Sequence, residues 1–195
     1  MGIPFPETGE RFDMLEDQLA IVTGMWATAA GETFDHSGRR QSVEGSPGLP
    51  KPVQQDEHSH GVPIVMGGWG AKRTPRLAAR YAAEFNLPFA PVAFVADQFA
   101  VVRQACEAAG RDPSTMIFSA ATTVCAGRDE AEFVRRAEAI GQTPESLREN
   151  QTGGTVSEVA ERVQAFADAG CQRLYLQFLT LDDLDHLELL ASTLL

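Results

Sequence analysis

Apolar residues recur at helical spacing near the start of the chain, where Phe12, Leu15, Leu19, Val22 and Trp26 alternate with Glu10, Asp13, Glu16 and Asp17. The spacing predicts an amphipathic helix over 10–27 with its acidic residues filling the polar face. From Ala29 to Gly61 the periodicity lapses into Gly, Pro and polar residues. There "TFDHSGRRQSV" reads as a short hairpin through Ser37-Gly38, and "GSPGLPKPVQQDEHSH" as an extended loop. The stretch 29–61 is therefore an excursion and not a domain.

From Val62 the rhythm changes and then repeats. "VPIVM" (62–66) predicts a strand, followed by a helix from Pro75 to Ala83 with Leu77, Ala78 and Tyr81 inward, and by a strand at "EFNLPF" (84–89). A second helix, capped at Asp97, carries Phe99, Val102, Cys106 and Ala109 and stops at Gly110 with Pro113 behind it. "MIFSAATTV" (116–124) predicts the next strand, and a helix from about Asp129 to Ile140 puts Phe133, Ala137 and Ile140 on one face. "GQTPESLREN" and "QTGG" read as a longer connection. A helix then opens on the capping box Thr155-x-x-Glu158, carries Val156, Val159, Val163 and Phe166, and closes at Gly170. "CQRLYLQF" (171–178) predicts the fourth strand. Asp182 and Asp183 suit a helix N-terminus, ahead of the stripe Leu184, Leu187, Leu190 and Leu194.

Alternating strand and helix requires crossover connections, hence a parallel sheet and the α/β class. Four such strands fall short of the eight that close a barrel, and the chain opens on a helix, so 1–195 reads as the second half of something larger.

Composition narrows the partners. A net charge of −11 among 195 residues argues against nucleic acid or an anionic membrane surface and leaves a small molecule as the ligand class. Cys106, Cys125 and Cys171 are scattered and odd in number, which predicts neither a disulfide framework nor a zinc site and suits a reducing cytoplasm. No apolar run approaches the ~18 residues of a membrane span, and "MGIPFPETGERF" lacks a charged-then-apolar leader.

"GGWGAKRTPRLAARYA" (67–82) carries the most chemistry. It follows a predicted strand and opens a helix, so it lies at the C-terminal edge of the sheet, where α/β folds bind ligands. It matches neither a Walker loop nor the dinucleotide fingerprint, which needs glycine where Arg73 stands. Gly67, Gly68 and Gly70 permit close backbone approach, Thr74 could cap the helix with Pro75 at its first position, and the free amides suit an anion such as phosphate. Lys72, Arg76 and Arg80 read as a solvated helix face, and Asn86 as a residue at the end of the following strand.

Other candidates are weaker. His58 and His60 beside Asp56 and Glu57 read as a solvated loop and not a metal site; His186 reads as a helix residue, and Cys125 and Cys171 as core packing. "DDLD" (182–185) lacks the glycine and terminal glutamate of a calcium loop, and no catalytic acid, base or nucleophile can be assembled.

Four segments in order, "ERFDMLEDQLAIVTGMW", "LPKPVQ", "PIVMGGWGAKRTPRLAARYAAEFN" and "DAGCQRLYLQF", resemble the luciferase-like flavin and deazaflavin oxidoreductases, in particular the F420-dependent branch. The resemblance implies a TIM barrel of which this chain supplies strands 5 to 8, with 10–27 as the helix after strand 4 and 29–61 as the insertion before strand 5. It implies hydride transfer between coenzyme F420 and a small organic substrate, with an FMN-dependent monooxygenase or a non-catalytic half-barrel module as alternatives. Gly67, Gly68, Trp69, Gly70, Arg73 and Thr74 would meet the phosphate-bearing tail of the cofactor, and Asn86 would face the same barrel mouth. Family members carry roughly another half-barrel upstream. The expectation is therefore a misplaced start, a fragment, or a half-barrel that forms a homo-oligomer or pairs with a missing N-terminal half.

Overall fold

The computed structural model describes residues 5–194; Met1–Pro4, on which the reading of the opening stretch "MGIPFPETGERF" partly falls, and Leu195 lie outside the described residues. In chain order the elements are α1 (Thr8–Ala27), β1 (Phe34–Ser37), β2 (Ser42–Ser46), β3 (Val65–Gly67), α2 (Arg73–Tyr81), β4 (Glu84–Pro88), α3 (Val95–Ala108), β5 (Ile117–Gly127), α4 (Glu130–Ala139), α5 (Pro144–Asn150), β6 (Thr152–Thr155), α6 (Val156–Asp168), β7 (Arg173–Gln177) and α7 (Leu184–Leu194). They form two compact units: 1–66, 70–84 and 105–116 in the first, and 67–69, 85–104 and 117–195 in the second.

In the first unit α1 follows its predicted range, but Asp17, expected on the polar face, is buried beside Leu19 and Thr23. The hairpin explains the burial. β1 and β2 pair antiparallel with Ser37 opposite Ser42, so the turn is the four residues 38–41. The Asp17 carboxylate accepts the backbone N–H groups of Arg39, Arg40 and Gln41 at 3.2, 2.6 and 2.9 Å, satisfying donors that a tight turn leaves without partners. These bonds, the one from Arg40 foremost, hold its pKa down at about 2.

α2 buries Leu77, Ala78 and Tyr81 as the spacing predicts. Its start differs from expectation. Lys72 is the residue before the helix, so Thr74 is the second helical residue and not the cap, and Pro75 is the third and not the first. Pro75 is tolerated there because the first-turn N–H groups have no intrahelical acceptor. At the other end Arg111 donates to the carbonyls of Ala78, Ala79 and Ala82 at 3.4, 3.2 and 2.7 Å, covering the orphan acceptors that close a helix.

The second unit is built on β5. Its eleven residues take β7 along 119–123 and β6 along 124–127, both parallel. β4 also runs parallel to β5, because the contacts advance together: Ser119 Oγ donates to the Phe85 carbonyl, and Phe89 N–H donates to the Ala121 carbonyl. β3 lies outside β4 in the sheet order. One face of the sheet is apolar, with Phe99 of α3 meeting Phe85 edge-on and Phe118 at 5.2 Å between ring centroids. α4 and α5 pack Phe133, Ala137 and Leu147 against Cys125, and α6 and α7 pack Val159 and Leu190 against Val124 and Ala126.

Two features of this unit depart from the sequence reading. α3 begins at Val95 after a single tight turn at 92–94, which places Asp97 in its first turn and not at the cap. The long connection contains α5, capped by Thr143 Oγ1 accepting from Ser146 N–H at 3.2 Å, and the strand β6, sequence Thr-Gly-Gly-Thr. Such a sequence has little strand propensity of its own. It pairs because Gly153 lets the backbone close on Leu147, whose Cβ would sit 2.5 Å from a Cβ added there.

Candidate functional site

Residues 67–69 and Asn86 come together in the second unit. The Gly68 N–H donates to the Asn86 carbonyl at 3.4 Å, and the Trp69 indole N–H donates to the Pro88 carbonyl at 3.1 Å. A Cβ on Gly67 would approach the Asn86 carbonyl to 3.0 Å, and Gly68 has φ +139°. Among the loop glycines predicted to use this freedom, Gly68 is the one with positive φ. Asn86 stands in the middle of β4, not at its end, and its side-chain amide donates to Ser119 Oγ at 3.0 Å.

Gly70, Arg73 and Thr74 belong to the first unit. A Cβ on Gly70 would lie 2.6 Å from Thr74 Oγ1, so the glycine is required by the turn into α2 itself. Arg73 is engaged with α1: its Nε and Nη2 reach Glu16 at 3.3 and 3.0 Å, Nη2 also pairs with Asp13, and Nη1 donates to the Gly9 carbonyl at 3.1 Å. The hydrogen bond to Asp13 is the main reason its pKa is raised. Arg76 likewise pairs with Glu16.

The sheet face opposite the aromatic core is polar and lies in the second unit. Alternate residues Ser119, Ala121 and Thr123 of β5 share it with Asn86 of β4 and, by register, with Arg173, Tyr175 and Gln177 of β7. Thr123 Oγ1 bonds Gln177 Oε1 at 3.2 Å, and Thr123 N–H donates to Gln151 Oε1 at 3.1 Å. Gln151, Ser119, Thr123 and Gln177 were not singled out in the sequence. For Ser119 and Thr123 the signal is there, since residues four apart in "SAATT" share one face of a strand, but a polar residue in a predicted strand reads first as solvent-facing.

The remaining candidates are occupied by structure. The buried His186 accepts the Ala126 N–H on Nε2 at 2.9 Å, and burial pushes its pKa down, so the ring is neutral. Asp183 and Asp185 pair with Arg136 at 2.9 and 2.7 Å, and Asp185 also with Arg128 at 2.6 Å. The Cys125 thiol is pushed up to about 11 by burial. Asp56 folds its own loop by accepting N–H groups from His58 and Ser59 at 3.0 and 2.8 Å, and no group of three metal-ligating side chains occurs among the described residues. A cavity of about 900 Å³ in the first unit is lined by Arg76, Arg80, His36, His58, Asp17 and Arg111 among others. Most of its charges are already paired, His36 with Asp17 at 3.5 Å, Arg76 with Glu16, and Arg111 with helix carbonyls.

Residues 1–152 match the family model of the luciferase-like monooxygenases. The chain belongs to that family. This luciferase-like chain is 34% identical over 82 residues to the F420-dependent glucose-6-phosphate dehydrogenase of Microbacterium testaceum (strain StLB037), a segment covering 42% of the chain and 21% of that relative. Among solved structures it is similar to an F420-dependent secondary alcohol dehydrogenase in complex with an F420-acetone adduct, at 16% identity and TM-score 0.81 over 98% of this chain and 63% of that one. It is also similar to a long-chain alkane monooxygenase, at 17% identity and TM-score 0.74 over 99% of this chain and 58% of that one. The fold is therefore the α/β barrel of these enzymes in part. The chain spans about three fifths of the length of the solved structures it matches. No helix among the described residues is long and apolar enough to cross a membrane.

Proposed function

We propose that residues 1–195 are the C-terminal half of one luciferase-like barrel domain, and that the barrel is an oxidoreductase exchanging a hydride between coenzyme F420 and a small organic substrate in the cytoplasm. The observation that carries the reading is the polar sheet face reached from Gly67 and Gly68. Backbone comes close at Gly67, while Asn86 and Gln177 offer neutral amide groups, held in place by the hydroxyls of the buried Ser119 and Thr123. Neutral donors and acceptors at alternate strand positions suit the edge of a heterocycle, which needs several directional hydrogen bonds and no counter-ion. F420 would supply the hydride chemistry, and the protein would supply binding and orientation. Gly67, Gly68, Trp69 and Asn86 would contact the cofactor from this face. On their position in the sequence Gly70 and Thr74 keep the expected role at the cofactor phosphate, whereas Arg73, committed to Asp13 and Glu16, gives up the role the sequence suggested for it.

A second reading is FMN in place of F420 in a monooxygenase. It draws on the likeness to the alkane monooxygenase and to a riboflavin lyase solved with modified FMN, at 17% identity each. F420 is preferred because the relative with the higher sequence identity is named as F420-dependent. A homo-oligomer, or pairing with a further half-barrel, belongs to the same proposal.

Titrating the complete barrel, this chain joined to an N-terminal half, separately with F420 and with FMN, followed by the absorbance of each, tests the assignment; the chain alone is expected to bind either one poorly. Saturable binding of F420, weakened roughly fivefold to tenfold by Asn86→Ala, is expected, since the substitution removes about one hydrogen bond. Binding of FMN alone would select the monooxygenase. Binding of neither would leave a non-catalytic module.

A further inference from the structure

Phe89 follows β4 and has φ +50°. A bulky residue in the left-handed region is a true outlier, because its Cβ crowds the following carbonyl, and glycine or asparagine would adopt the turn at less cost. The conformation is fixed from both sides. The Phe89 N–H donates to the Ala121 carbonyl at 2.8 Å, and the next residue, Ala90, is 2% exposed. Yet the ring is not spent on the core, being 44% exposed. Trp69, which follows β3, is 49% exposed, and its indole N–H is tied to the carbonyl of Pro88, the residue before Phe89. Two aromatic residues of the second unit, one in the stretch 67–69 and one after β4, thus come together beside the polar face that carries Asn86 and Ser119. Leu179 and Leu181, which follow β7 in the same unit, are 48% and 86% exposed.

We propose that Phe89 and Trp69 form an aromatic platform on which Phe89 receives the apolar part of the substrate and sets the preference, while Trp69 borders both substrate and cofactor. The proposal rests on the oxidoreductase reading above for the word substrate, and on the structure alone for the platform. A strained backbone that turns a ring outward is retained where the ring has work to do. Two rigid aromatic side chains on a pre-formed edge lose little conformational freedom on contact with an apolar ligand. The class of substrate this selects is an organic molecule with a compact apolar body and one polar end, the polar end directed at the amide and hydroxyl groups of the sheet face.

The chain has two tryptophans, so in a Trp26→Phe background the emission reports Trp69. Cyclohexanol is titrated into this protein without cofactor, with glycerol as the polar control. The expected result is a saturable blue shift with cyclohexanol and none with glycerol. Phe89→Gly should weaken the cyclohexanol affinity roughly fivefold or more, through lost apolar contact, while the melting temperature holds or rises because glycine accepts the backbone angle. Phe89→Tyr should keep the affinity. Equal cyclohexanol affinity in Phe89→Gly, or a shift that never saturates, overturns the platform. So does a loss of self-association in Phe89→Gly with cyclohexanol affinity intact, which would make the ring a subunit contact. Because the probe needs no cofactor, failure of the complete barrel to bind F420 or FMN would sink the oxidoreductase reading and leave the platform standing on its own result.

Discussion

The Arg73 guanidinium is shared between Asp13 and Glu16 of α1, and with the Gly9 carbonyl this occupies most of its N–H donors. An arginine committed to two carboxylates has little left for a phosphate, since any anion must compete with partners held beside it by the fold. The measurement that separates the two roles is Arg73→Ala, read by thermal melting and by cofactor titration. The expected outcome is a lower melting temperature with cofactor affinity changed by no more than about threefold. A loss of roughly tenfold or more, the ordinary effect of a missing hydrogen bond to a charged group, would return Arg73 to the phosphate.

Asp17 makes the hairpin sensitive to acid. Its folded pKa of about 2 lies below the unfolded value of 3.8, so its contribution is complete above pH 4 and is lost as pH falls from about 4 toward 2. Protonation removes a charged acceptor from the N–H groups of Arg39, Arg40 and Gln41. Amide exchange at residues 39–41 should therefore accelerate below pH 4 in the parent protein. Asp17→Asn should show the faster exchange at neutral pH and lose the acid dependence. Exchange that is independent of pH, after correction for intrinsic rates, would mean the turn holds without the carboxylate.

Periodicity made the main elements legible because their apolar stripes are buried as units: Leu77, Ala78 and Tyr81 in α2, Phe133 and Ala137 in α4, Val159 and Phe166 in α6. The Thr155–Glu158 box was legible for the same local reason, and Glu158 does accept the Thr155 N–H at 2.7 Å, its pKa held at about 2 by Arg148 first and by this bond. What escaped depends on contacts distant in sequence. Asp17 is anchored by residues more than 20 positions away, and β6 exists because Gly153 packs on Leu147. In the candidate site the glycines were legible and the polar sheet face was not. Ser119 and Thr123 acquire meaning only when Asn86 and Gln177 are brought beside them by strand pairing.

The loop after β7 is held from below by Arg136. Its side chain, 8% exposed, donates Nε to Asp183 at 2.9 Å, Nη2 to Asp185 at 2.7 Å and Nη1 to the Ala126 carbonyl at 2.9 Å. Asp183 in turn accepts the His186 N–H at 2.9 Å, which fixes the first turn of α7, and His186 accepts from Ala126. The arginine is thus the node that joins the end of β5 to the start of α7. Removing one member of a buried pair usually costs ~3–5 kcal/mol, but Asp185 is 56% exposed and can be rehydrated, so a loss below that range, about 2–3 kcal/mol, is expected for Arg136→Met. The loss should be local before it is global. Hydrogen exchange over 178–186 should rise well ahead of exchange at Phe118–Thr122, whose amides sit in the middle of the sheet. Uniform acceleration across both segments would show that the node supports the whole unit and not the loop, and would remove Arg136 as the support of the edge on which Leu179 and Leu181 stand.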